Sequence, residues 1–161
     1  MRRLSTAVAT VPQALSFIQK AAQHGTQSLL GPFHYRAGRF DQAFSSLVVE
    51  KLQPDLVVCS LVIDERTANS YGTLHGGAIA SLVDIVGTLA LLAQDASKGG
   101  VTVELSTSYC SSAKLGSRVT IHGKTLKLGK SLGFTQVDVF SEAGALIASG
   151  RHTKAFGQPA P

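Results

Sequence analysis

"NSYGTLHGGAIASLVDIVGTLALL", residues 69–92, runs from a glycine-bearing turn into an apolar segment. A histidine stands at the junction and a single acid, Asp84, inside the segment. At 100° per residue, a helix over 77–94 gathers Ile79, Leu82, Val83, Val86, Leu89, Ala90 and Ala93 on one broad face. That stripe predicts a helix buried along one side. Asp84 falls opposite, beside Gly77, Ser81 and Thr88. A lone Asp on a polar helix face is ordinarily solvated. This face, however, lacks Lys, Arg and Glu, and its small uncharged residues suit the close approach of another element. Helix geometry alone favours the solvated reading, and the composition of the face is what suggests that Asp84 is held in an interface.

The surroundings of this helix read as strands. "FSSLVVEKLQ" and "LVVCSLVID" precede it and flank the Pro54-Asp55 turn signal. "VTVELSTSYC", "RVTIHGKTLKL", "LGFTQVDVFS" and "ALIASGRHTKAF" follow, joined by "SAKLGS", "GKS" and "EAG". Val119, Ile121 and Gly123 alternate with Thr120, His122 and Lys124. Phe134, Gln136 and Asp138 alternate with Thr135, Val137 and Val139. A period of two is the pattern of antiparallel strands with one buried face. The expected fold class is α+β, an antiparallel sheet covered by one long helix.

The chain's 161 residues and 44% apolar content suit one domain with a core. Its net charge of +5 sits entirely at the start. Residues 1–40 hold Arg2, Arg3, Lys20, Arg36 and Arg39 and no acid, while residues 41–161 balance. A nucleic-acid-binding domain would carry its basic patch on the folded body, so that class is set aside. "MRRLSTAVAT" has the composition of a mitochondrial transit peptide. Thr10, Pro12 and Gln13 equally suit the start of an ordinary helix carrying Ala14, Leu15, Ile18, Ala21 and Ala22. The compartment is mitochondrial on the first reading and cytoplasmic on the second. "HGTQSLLGPFHYRAG" reads as a loop. Residues 1–40 are therefore a basic N-terminal segment and 41–161 the folded domain. No uninterrupted apolar run is long enough to span a membrane, because Ser81, Asp84 and Thr88 interrupt residues 78–93. Cys59 and Cys110 read as buried reduced thiols, and no Cys/His spacing supports a metal site.

The helix start carries chemistry. The first amides of a helix lack internal acceptors and sit at its positive end. Glycines at 76 and 77 let a carbonyl approach that backbone, so the amides suit an oxyanion hole. His75 reads equally well as a structural histidine. Gly76 and Asp84 stand about 12 Å apart along a helix rising 1.5 Å per residue. One reacting carbonyl could hardly meet both, so a site using both needs two subunits.

The ordered set "N-x-x-G-T-L-H-G-G-x-x-x-x-L-V-D", "GVTVELSTSYCSSAKLG" and "ASGRHTK" resembles the PaaI-like hotdog thioesterases, most of all the acyl-CoA thioesterase 13 (thioesterase superfamily member 2) group. The resemblance covers roughly residues 55–157. It implies a hotdog fold, homodimers pairing into homotetramers, and hydrolysis of acyl-CoA to a free acid and CoA. It implies substrate-side polar roles for Asn69 and His75, and a carbonyl donor at the Gly76 amide. Asp84 matches the family carboxylate, a general base on water or a nucleophile. Thr102 stands where close relatives place a water-orienting serine, and Ser112 where they often have proline. Lys114, Arg151, His152 and Lys154 lie in segments resembling the family's CoA-phosphate contacts, and read alternatively as exposed basic residues at strand ends. No metal or redox cofactor is implied, since CoA is part of the substrate. Two further readings stay open. An enoyl-thioester hydratase or dehydratase would pair His75 with Asp84 for proton transfer to carbon. A non-catalytic acyl-CoA-binding dimer would need no water-activating carboxylate.

Overall fold

The structure is a computed structural model that describes residues 40–157. The expected N-terminal segment, with its helix from Thr10 and following loop, lies outside the described residues except for Phe40. A short 3-10 turn, Phe40–Phe44, leads into a strand hairpin of β1 (Val48–Gln53) and β2 (Leu56–Val62). Helix α1 spans Gly76–Gln94. Four strands follow: β3 (Val101–Tyr109), β4 (Arg118–Leu128), β5 (Leu132–Ser141) and β6 (Leu146–Ala155). All six form one antiparallel sheet in the order β1-β2-β4-β5-β6-β3. This is the hotdog arrangement, a sheet wrapped on one long helix.

Alternation decides which side of each strand meets the helix. Val119, Ile121 and Gly123 of β4 face inward, as do Gly133, Thr135, Val137 and Val139 of β5. All seven residues of the expected helical stripe are buried against them. The seat is tight. A Cβ on Gly123 would lie 2.8 Å from Val86 Cγ1, and one on Gly150 would lie 2.7 Å from Val83 Cγ2. Side chains at those two positions would lift the helix off the sheet and open its core. By length and hydropathy alone α1 is apolar enough to cross a membrane. Its burial on the sheet accounts for that apolarity.

Strand β3 is an open edge. Val101 and Val103 are 66% and 56% exposed, and a register shift between Thr102 and Glu104 bends the strand there. The two cysteines part company. Cys59 is buried, and burial, reinforced by Glu50, pushes its thiol up to about 12. Cys110 is exposed, contrary to its expected burial, because it follows the last residue of β3 where the chain leaves the sheet.

Candidate active site

The helix start is capped by its own histidine. His75 keeps an extended backbone (φ −66, ψ 136), and its Nδ1 accepts the Gly77 N–H at 2.8 Å. The backbone carbonyl of His75 takes the Ile79 N–H at 3.0 Å. A capping Nδ1 must be unprotonated, so the neutral ring carries its proton on Nε2, and His75 is exposed. The Gly76 N–H lies in the first turn and finds no acceptor among the described residues. Tyr109, at the end of β3, flanks it: a Cβ on Gly76 would lie 3.6 Å from the ring's Cε1.

The approach to the helix is braced from two directions. Asn69 Oδ1 accepts the Tyr71 N–H at 3.0 Å and the Thr73 N–H at 3.1 Å, and Asn69 Nδ2 donates to Thr73 Oγ1 at 2.9 Å. Asn69 therefore shapes its own loop, with its side chain committed mainly there. Residues 113–115 run beside this loop. Leu74 N–H donates to Ala113 carbonyl at 2.8 Å, and Leu115 N–H to Gly72 carbonyl at 2.9 Å. Ser112, in place of the expected proline, precedes this paired segment.

Asp84 stands at a second cluster. Its side chain is 43% exposed, neither freely solvated nor closed off. Its Oδ1 meets Thr88 Oγ1 at 3.3 Å, Thr102 Oγ1 at 3.4 Å, His152 Nε2 at 3.4 Å and Lys154 Nζ at 3.8 Å. Thr102 Oγ1 also lies 2.9 Å from His152 Nε2. The ring's Nδ1 is buried and meets no partner among the described residues. Protonation at Nε2 leaves only a lone pair unmet at Nδ1, whereas the other tautomer would bury an orphan donor. His152 therefore donates to Thr102, whose hydroxyl donates onward to Asp84. Burial pulls the His152 imidazolium below the usual histidine range, helped by the Lys154 ammonium and opposed by Asp84 and Glu104. These contacts gather on Oδ1, and no hydrogen bond to Oδ2 of Asp84 is found among the described residues.

His152 and Lys154 are 1% and 7% exposed, and both face Asp84. Neither is the exposed basic residue of a strand end that one reading expected. Lys114 and Arg151 do remain exposed. The parity of β6 explains the split: Ala148, Gly150, His152 and Lys154 share the helix-facing side, and Arg151 takes the other. That alternation was present in "ALIASGRHTKAF" and would have placed both inward. Thr88 was already placed beside Asp84 by helix spacing, but its contact with Lys154 and the approach of Tyr109 to Gly76 carried no such signal, because each joins elements remote in sequence.

Residues 71–148 match the family model described as Thioesterase superfamily. Over 123 residues the chain is 42% identical to acyl-coenzyme A thioesterase 13 of Homo sapiens, covering 76% of this chain and 88% of that protein. The solved structure of thioesterase superfamily member 2 from Mus musculus matches at a TM-score of 0.74 and 33% identity, covering 87% of this chain and 98% of that one. A hypothetical thioesterase from Streptococcus pneumoniae, solved with coenzyme A, matches at a TM-score of 0.70 and 26% identity, covering 81% and 99%.

Proposed function

This chain belongs to the thioesterase superfamily, and from that premise we propose that it hydrolyses acyl-CoA thioesters at sites shared between two subunits. One observation carries the reading: Asp84 Oδ1 meets neighbouring side chains, while its half-exposed carboxylate makes no hydrogen bond through Oδ2 among the described residues. That is the arrangement of an oriented base.

The thioester carbonyl rests on the Gly76 N–H, with the His75 Nε2–H beside it. The partner subunit's Asp84 takes a proton from water as the water oxygen bonds to the carbonyl carbon. The resulting oxyanion is stabilised by the helix-start amide and dipole. Collapse breaks the carbon–sulfur bond, and the CoA thiolate leaves and takes up a proton. Thr102 fixes the carboxylate's orientation through its hydroxyl. Exposed Lys114 and Arg151 are the groups suited to CoA phosphates, and Asn69 holds the loop before the helix start. Each role falls to the chain's own groups, so the reading needs neither metal nor redox cofactor.

Two subunits are required because about 12 Å of helix separates Gly76 from Asp84. The open edge of β3, with Val101 and Val103 exposed, is where a second copy would continue the sheet. Pairing of such dimers into a tetramer is part of the same proposal. The test is thiol release from short, medium, long and aromatic acyl-CoAs, with Asp84→Asn lowering kcat by about 100-fold or more. Absence of thiol release from all of them, or full activity in Asp84→Asn, overturns the reading.

A further inference from the structure

Lys154 is a lysine where the fold has little room for one. It lies on the helix-facing side of β6, 7% exposed, paired in register with Thr102 on β3 and Gly133 on β5. A buried ammonium is costly unless it is both paired and hydrogen-bonded. It meets two groups of α1. Its Nζ donates to Thr88 Oγ1 at 3.0 Å and lies 3.8 Å from Asp84 Oδ1. The Thr88 hydroxyl in turn donates to the Asp84 carbonyl oxygen at 2.8 Å, with Oδ1 at 3.3 Å. The ammonium therefore reaches Asp84 directly and holds the hydroxyl that sits against it.

We propose that Lys154 is a positioning residue for the thioesterase reaction, its ammonium anchoring Asp84 Oδ1 from inside the fold so that Oδ2 faces the substrate. This rests on Asp84 being the base. It also gives Lys154 a role different from a CoA-phosphate contact. The charged and titratable groups around it are few. Asp84 faces it from α1 and His152 from its own strand, β5 contributes Gly133, and Glu104 of β3 turns to Thr153 on the outer side.

Burial lowers the Lys154 ammonium below the usual lysine value, and Asp84 opposes that shift. The sign follows. The cation is present at lower pH and is lost as pH rises through a value below 10.5. Activity that depends on it must fall on that alkaline limb.

The test compares pH profiles of acyl-CoA hydrolysis in the full chain, Lys154→Met and Lys154→Arg. Lys154→Met should lower kcat roughly tenfold or more while KM stays within about twofold, because only orientation of the base is lost. Its profile should lack the alkaline limb, and Lys154→Arg should restore part of kcat with that limb moved to higher pH. A Lys154→Met variant with raised KM and unchanged kcat, or with an unaltered profile, overturns the proposal. A second measurement needs neither Lys154 variant. The 15N titration of Lys154 Nζ should move to lower pH in Asp84→Asn, and an unmoved titration also overturns the proposal. That measurement needs no turnover. A protein that releases no thiol but shows the coupled titration refutes the hydrolase reading and keeps the ion pairing. An active protein with uncoupled titration refutes the inference alone.

Discussion

Gly87 and His152 adjoin with no space between them: a Cβ on Gly87 would lie 2.8 Å from His152 Nδ1 and 2.7 Å from Thr135 Oγ1. Helix α1 thus rests on β5 and β6 where the imidazole that supports Asp84 is held. Alanine suits a helix interior better than glycine by about 1 kcal/mol. Here that gain is outweighed, because both neighbours are buried side chains and overpacking costs about 1–3 kcal/mol. Gly87→Ala is expected to be destabilised by about 1 kcal/mol, lowering Tm by about 2–4 °C. It should also lose activity, since a displaced His152 takes Thr102 with it. Thermal unfolding beside a rate assay checks both, and a stabilised, fully active variant would refute the close fit.

The shared site can be tested by complementation. Proline is tolerated at the first position of a helix and removes the N–H there. His75 already has the extended backbone that a residue before proline prefers, and a Cβ at 76 would find Tyr109 at an ordinary 3.6 Å. Gly76→Pro should therefore fold and be inactive. Mixed and refolded with equally inactive Asp84→Asn, it should form heterodimers with one intact site each. Random pairing restores about a quarter of the wild-type rate in a two-fold dimer. No recovery, with heterodimers shown to form, would place the base and the amide in one chain.

The cap at His75 separates stability from chemistry. His75→Ala leaves the Gly77 N–H without its side-chain acceptor and should cost about 0.5–2 kcal/mol. His75→Asn can cap the same amide, and should recover stability without restoring the Nε2–H proposed to lie beside the carbonyl. Denaturant midpoints and kcat/KM measured together check this. Recovery of both in His75→Asn would make the histidine a cap alone.

Acid should weaken the fold through His152. Its folded-state value lies below the ordinary 6.5, chiefly through burial, so the unfolded chain binds the proton more readily. The corresponding stability is fully present above about 6.5 and is lost as pH falls through the lower folded value. His152→Gln removes this titration. Urea unfolding at a series of pH values should show a shallower acid slope in the variant. Identical slopes would show that His152 contributes nothing to the loss.

Strand period and turn chemistry are local properties, and they made the sheet legible. The runs 118–128 and 132–141 are β4 and β5 without adjustment, and the stripe from Ile79 to Ala93 is the buried face of α1. The helix start and its orphan amides were legible for the same reason, since they involve residues within one turn, whereas the cap by His75 emerged only in the structure. Cys110 was misread because its strand-like setting ends one residue earlier. The burial of His152 and Lys154 was missed because a basic residue suggests solvent, although the parity they share with Gly150 pointed inward.

By itself the sequence determined the strands, the apolar helix, its glycine start and the presence of one acid on its far side. Only the tertiary structure decided what that acid meets. Thr102 lies 18 residues beyond Asp84, and Lys154 lies 66 residues beyond Thr88. Sheet order places β6 beside β3 and sets both beneath the helix. Those contacts depend on which strands pair, a choice made by the packing of the whole sheet around α1 rather than by any stretch of chain.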